Sequence, residues 1–330
     1  MLAEPAQHLT IAPADPGATA QIAAMVTLWN ETCGEELAIS ERFLAYNLRP
    51  PAGGSVASWL ATIDNRPVGF VIASHLAERP SVMLPTTGWV GAIAVAPGLQ
   101  RHGIGAVLMA EAEDWLRARG VTQVMLGGDI RPFMPGAPVG LQSTGFFLQQ
   151  GYGVTTNGED RGMTWDVAAD LSGYEPPSSV VEVAGIVRPA QPGEERHLLD
   201  FMAREFPGRW HYETQEFIRE GGRISDWMLL WTEGGVDGFC ALTFEDSLRP
   251  IERYYPYQLP RPWGQLGPIG ISASLREQGY GAAVLDAGLR RLHDNGIKGC
   301  VIDWTRLVDF YAKFGFEKYH AYQQMFKSLS

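Results

Sequence analysis

The chain repeats itself, and that constrains its fold more than anything else in the sequence. Residues 88–126, GWVGAIAVAPGLQRHGIGAVLMAEAEDWLRARGVTQVML, align without a gap on residues 264–302, GQLGPIGISASLREQGYGAAVLDAGLRRLHDNGIKGCVI. The frame matches Gly88 with Gly264, Gly91 with Gly267, Ile93 with Ile269, Gly103 with Gly279, Gly105 with Gly281, Leu116 with Leu292 and Gly120 with Gly296. It also pairs Pro13 with Pro189 and Pro16 with Pro192, so the match reaches the start of each half. Between the halves, residues 171–180 (LSGYEPPSSV) have the Pro/Ser/Gly character of a linker. Two copies of one domain are expected, over 8–170 and 183–330.

Each copy reads alike. A short apolar run is followed by helical spacing such as Ile22, Met25, Val26 and Trp29. Two strands about a turn come next, 58–63 and 68–74 around Asp64-Asn65-Arg66-Pro67, with 227–232 and 236–243 in the second copy. A strand (89–95; 266–271) then meets a glycine loop and a helix closing at Gly120 or Gly296. In the first copy that helix is expected to bury Ile104, Val107, Leu108 and Trp115. A further strand (121–126; 297–302) and a last helix ending at Gly151 or Gly315 complete the pattern. Strands alternating with helices predict an α/β fold with a mixed sheet.

Composition removes several function classes. Against 37 acidic residues stand 26 basic ones, a net charge of −11, so no nucleic-acid or anionic-membrane surface is expected. Cys33, Cys240 and Cys300 lie far apart and form no CxxC, which argues for a reducing, cytoplasmic setting without disulfides. The first residues lack the basic start and apolar stretch of a signal peptide, and no apolar run nears membrane-spanning length. The seven histidines show no ligand-pair spacing, so no metal is expected.

The loops Gln100-Arg101-His102-Gly103-Ile104-Gly105 and Arg276-Glu277-Gln278-Gly279-Tyr280-Gly281 each join a strand to a helix start. Glycines there let a ligand approach the backbone, and free N–H groups with the positive helix end suit phosphate oxygens. A dinucleotide loop would need a third glycine, where Leu108 and Val284 stand. Motifs for nucleotide hydrolysis, zinc proteolysis and α/β-hydrolase chemistry are absent from the sequence.

A Gln/Arg-x-x-Gly-x-Gly loop after an apolar strand, with the later Tyr311-Ala312-Lys313-Phe314-Gly315-Phe316, resembles the GNAT superfamily of N-acetyltransferases. The resemblance runs over both halves and is most specific at 88–126 and 264–316. It implies two tandem GNAT-like domains, each a mixed, centrally splayed sheet flanked by helices, with acetyl-CoA as cosubstrate. The pyrophosphate would sit on the amides of Arg101, His102, Gly103, Ile104, Gly105 and Ala106, or of Glu277, Gln278, Gly279, Tyr280, Gly281 and Ala282. The pantetheine arm would pair with Ile93, Ala94 and Val95, or with Ile269, Gly270 and Ile271.

The copies differ where the resemblance places the chemistry. In the family a tyrosine at the position of Tyr311 commonly protonates the departing thiolate; the first copy has Phe147 there, which cannot donate. The first copy also carries extra Gly/Pro-rich residues within 127–144, a length of loop more often functional than idle. The second half is therefore expected to be catalytic, with Tyr311 as acid and Asp303, or else His211, as base. The expected reaction is direct attack of a primary amine, from a small molecule or a peptide, on acetyl-CoA. The alternative is a non-catalytic acyl-CoA sensor or scaffold.

Overall fold

Asp64 and Asn65 adopt positive φ, 49° and 62°, as a two-residue hairpin loop between right-twisted strands requires. The expected four-residue turn is thus shorter, and Ile63 faces Arg66 across the hairpin. This is seen in a computed structural model that describes residues 8–154 and 162–329. The chain divides into two compact units, 1–163 with 322–330, and 164–321.

The first unit contains β1 (Leu9–Pro13), α1 (Thr19–Cys33), α2 (Glu41–Asn47), β2 (Gly54–Ile63), β3 (Arg66–Leu76), β4 (Thr87–Val95), α3 (Ile104–Arg117), β5 (Gln123–Leu126), β6 (Ala137–Pro138), α4 (Thr144–Gln149) and β7 (Gly153–Val154). Its sheet runs β1-β2-β3-β4-β5, then the C-terminal strand Met325–Ser328, then β7. That C-terminal strand lies antiparallel to β5, with Phe326 opposite Met125. A buried charge cluster fixes it: Lys327 Nζ reaches the two Glu113 carboxylate oxygens at 2.7 and 2.9 Å. Tyr152 Oη donates to the same carboxylate at 3.2 Å. Helix α3 buries Ile104, Leu108, Met109, Ala112 and Leu116 against the sheet; Val107, expected inside, is exposed.

The second unit contains β8 (Met163–Asp170), β9 (Ile186–Pro189), α5 (Glu195–Glu205), α6 (Arg209–Arg219), β10 (Trp227–Thr232), β11 (Gly235–Phe244), β12 (Trp263–Ile271), α7 (Tyr280–Asp294), β13 (Gly299–Thr305), α8 (Val308–Ala312) and β14 (Glu317–Gln323). Its strands run β14-β8-β13-β12-β11-β10-β9. Val284, Leu285, Leu289 and Leu292 of α7 form its core with Leu266, Ile302 and Phe316. Residues 171–183 pack within this unit, where Tyr174 Oη donates to Asp286 Oδ1 at 2.9 Å and Val180 meets the core. The compact units therefore differ from the segments 8–170 and 183–330 at their ends: strand 325–328 completes the first sheet and β8 the second.

Both sheets are mixed and open at the same place. In the first, parallel pairing of β4 with β5 stops at Val90–Leu126, where β5 ends while β4 runs on to Val95. In the second, parallel pairing of β12 with β13 stops at Gln265–Val301.

Candidate functional site

The splay of the first unit opens into a cavity of about 750 Å³. Its wall is the free edge of β4, Val90 to Val95, with Trp29, Thr32 and Cys33 of α1, and Phe146 and Phe147 of α4. Gly91 is an extra residue in β4: Val90 faces Ala73 and Ala92 faces Ile72, so the strand bulges there. Gly91 lines the cavity at this bulge, beside the splay.

The cavity continues to Gln100, Arg101, Gly103, Gly105 and Ala106. Arg101 has φ 67° and Gly103 φ 84°, left-handed turns that point successive N–H groups to one side before α3 begins. Gln100 Nε2 closes the loop onto Val95 O at 3.1 Å, and His102 Nδ1 lies 2.8 Å from Gln100 O. Ile104 faces the core instead. Of the residues expected to hold the cofactor here, Ile93, Ala94, Val95, Arg101, Gly103, Gly105 and Ala106 come together on one cavity wall.

The second loop has the same backbone and different surroundings. Glu277 has φ 62° and Gly279 φ 89°, and Arg276 Nε reaches Ile271 O at 3.3 Å, as Gln100 does for Val95. A Cβ on Gly103 would meet nothing within 4 Å, whereas one on Gly279 would lie 2.6 Å from Val181 and 3.8 Å from Val183. Val181 thus sits against Gly279, while Arg276, Glu277 and Gln278 of the loop are exposed. At the bulge, Pro268 stands where the first copy has Ala92, and so contributes no N–H. A Cβ on Gly270 would sit 2.6 Å from the Phe206 ring, so aromatic packing covers that part of β12. The loops also differ in charge: Arg101-His102 in one, Glu277-Gln278 in the other, all exposed. Tyr280 and Ala282 pack against the core of the second unit.

Tyr311 is buried at 4% exposure, edge-on to Phe310 and Phe316. Burial, with a contribution from Asp303, pushes its phenol up to about 12, although a hydrogen bond with Thr305 opposes the shift. Asp303 is likewise raised by desolvation, and it accepts from Gln265 Nε2 at 2.9 Å. Gln265 is held by Thr243, whose hydroxyl lies 3.0 Å from its Oε1. His211 lies on α6, not in a loop, with Nε2 3.2 Å from Gln215 Nε2.

Sequence reasoning passed over Asp129. It follows the positive-φ pair Gly127 and Gly128 in the loop after β5 and accepts a hydrogen bond from Ser74 Oγ of β3 at 2.8 Å. The loop is anchored by Phe133, wedged edge-on between Trp29 (4.6 Å) and Phe43 (4.8 Å), and by Arg131 over Tyr46 at 5.1 Å. Its length and glycines were the available signal; no counterpart in the second copy marked the acid. Among the described residues, no three His, Cys, Asp or Glu side chains are grouped as metal ligands. No described helix is long and apolar enough to cross a membrane.

In the first unit a splayed mixed sheet, a bulge at the splay and a glycine loop at the adjoining helix meet around one cavity. The sequence profile of the acetyltransferase (GNAT) family matches residues 22–132 and again 195–316, and the chain belongs to that family. No curated protein matches the chain. Among solved structures, it resembles the glucosamine N-acetyltransferase region of a fungal multi-domain GH3 β-N-acetylglucosaminidase, at 19% identity and TM-score 0.82. That match covers 97% of this chain, which spans 38% of the fungal one. A tandem GNAT protein from the clavulanic acid biosynthesis pathway matches at 16% identity and TM-score 0.69, over 97% of this chain and 98% of the other. A GCN5-related N-acetyltransferase from Sphaerobacter thermophilus matches at 17% and 0.67, over 97% and 95%. At these identities the likeness is one of fold, and the fold is a tandem of two GNAT domains.

Proposed function

We propose that this chain transfers acetyl from acetyl-CoA to a primary amine, and that the first unit holds the cosubstrate. The observation that carries the reading is one loop in two settings: open and cationic at Gly103, with Val181 against Gly279 and an anionic Glu277 beside it in the other. Phosphate oxygens need free amides and tolerate a neighbouring carboxylate poorly, so the two loops are not equivalent hosts.

Bound acetyl-CoA supplies an activated thioester carbonyl for the amine to attack. Residues of the first unit divide the work. The amides of Arg101, His102, Gly103, Ile104, Gly105 and Ala106 face the pyrophosphate. The edge from Ile93 to Val95 pairs with the pantetheine, and the bulge at Gly91 offers its backbone to the carbonyl oxygen, where preorganised donors lower the barrier most. Direct attack fits the thiols present. Burial pushes Cys33, in the cavity wall, up to about 12, so no thiolate is ready to carry an acyl group at neutral pH. Cys240 and Cys300 lie in the second core, also raised by burial. Phe147 gives no proton, so the departing thiolate takes its proton from solvent.

A second reading has its own support. Tyr311 keeps its proton well above neutral pH, as an acid must, and Asp303 is beside it, so turnover in the second unit would use that pair. Free-thiol release by the intact chain across an amine panel (glucosamine, a polyamine, a peptide N-terminus) tests the activity. Release above the hydrolytic background with at least one amine is expected. Tight acetyl-CoA binding with no release from any amine would leave the sensor reading.

A further inference from the structure

We propose that the first unit carries an acyl pocket that accepts aliphatic acyl groups longer than acetyl. This rests on the reading that the first unit holds the CoA thioester. On that reading the pantetheine arm, paired from Val95 to Ile93, runs along β4 toward Gly91, and the acyl group continues in the same direction toward Val90. Val90 pairs with Leu126 at the last parallel step before the strands part, so the acyl chain ends at the apex of the splay. Val90 and Leu126 line the cavity and share one buried apolar cluster with Ala137 and Phe147, which line it too. Met134, from the loop after β5, is a further wall, and its unbranched thioether adapts to chains of different shape. An acetyl group extends one carbon past the carbonyl, too short to touch walls drawn from β4, β5, β6, the loop and α4 at once.

The loop peculiar to this copy shapes the pocket. Gly127 has φ 64°, and a Cβ on it would lie 2.4 Å from Met134 O and 2.9 Å from Gly136 N, so the loop backbone folds directly onto it. Gly128 N donates to Met134 O at 2.8 Å, which fixes that fold. The second copy fills the same place with polar groups. Asp303 follows Ile302 where Gly127 follows Leu126, and Tyr311 stands for Phe147. Asp303 accepts from Gln265 Nε2 at 2.9 Å, so a bonded carboxyl stands where the first copy has no side chain. Among the described residues that line the cavity, Arg101 alone is charged, and it lies in the glycine loop at the other end of the arm. A pocket without charge gains from each methylene it takes out of water. The transfer itself is the same for any chain length. The amine nitrogen bonds to the carbonyl carbon and the C–S bond breaks with its electron pair going to sulfur. The nitrogen gives up one proton and the thiolate takes one, so amide and free thiol are the products.

The test is calorimetry on the intact chain with CoA, acetyl-CoA and butyryl-CoA. Each buried methylene should tighten binding about fourfold, so butyryl-CoA should bind roughly tenfold or more tightly than acetyl-CoA. Equal or weaker binding of butyryl-CoA would overturn the proposal. Ala137→Leu places the result: its added carbons fill the pocket, so the butyryl advantage should vanish while the affinity for CoA itself stays within about twofold. An advantage left intact by Ala137→Leu would also overturn the proposal, because the chain would then lie elsewhere. The wild-type comparison decides even if Ala137→Leu does not fold. Free CoA separates this inference from the reading beneath it. No binding of CoA in the first unit overturns that reading, whereas CoA binding with no gain from the butyryl chain overturns the acyl pocket alone.

Discussion

Val181 lies against Gly279, its Cγ2 2.6 Å from where a β-carbon would be, while nothing within 4 Å faces Gly103 at the matching place in the first copy. A valine methyl in that position leaves no room for a side chain at Gly279. Duplication kept the backbone of the loop, down to φ values of 84° and 89° at the two glycines, and the sequence around it diverged. Arg101 faces solvent in one copy and Glu277 in the other.

That charge difference gives a first prediction. Arg101→Glu should weaken acetyl-CoA binding about tenfold at low salt, since charges at a helix start contribute up to about 2 kcal/mol. The loss should shrink as ionic strength rises and shortens the screening length. Glu277→Ala should leave affinity unchanged. Calorimetry at two salt concentrations reads both.

Tyr311→Phe separates turnover from stability. Loss of the Thr305 hydrogen bond should cost about 0.5–1.5 kcal/mol in denaturant unfolding. With chemistry in the first unit, kcat should be within twofold of wild type. A fall of about 10²-fold or more would move the chemistry to the second unit.

The same phenol makes a pH prediction. Its value is raised from the ordinary 10 to about 12, so the unfolded chain ionises first as pH rises. Its contribution is complete below pH 10 and is lost between pH 10 and 12. Tyr254, also buried and raised to about 12, acts in the same window. Tyr311→Phe should flatten that alkaline limb, and an unchanged slope in alkaline unfolding curves would contradict the burial argument.

Lys327→Met should destabilise the first unit by about 3–5 kcal/mol, because Glu113 would be left buried with less compensation. Glu113→Gln combined with Lys327→Met should recover part of that loss. Additive losses in this double-mutant cycle would contradict the coupling.

How much was legible follows from range. The hairpin at Asp64-Asn65, the helix stops at Gly120 and Gly296 and the twin glycine loops are local, and their residue types dictate them. The repeat then carried the family resemblance over both halves. Strand exchange was not legible: whether Met325–Ser328 pairs beside β5 depends on register and on a lysine finding Glu113, far off in sequence. Nor was Val107's exposure, since the apolar face of α3 is chosen by the sheet beneath it. Phe147 and Tyr311, 7% and 4% exposed, both serve as core residues; the extra oxygen was visible in the sequence, its Thr305 partner was not. Asp129 sits in an insertion without a twin, and Val181 lies just beyond the Pro/Ser/Gly-rich stretch 171–180, where composition gives no sign of packing on a distant loop.

On the proposed reading, acetyl-CoA binds the first unit and not the second. Amide hydrogen exchange of the intact chain with and without saturating acetyl-CoA tests it most directly. Protection should appear at residues 91–95 and 101–106, with 277–282 unchanged. Protection at 277–282, alone or together with the first loop, would contradict the claim.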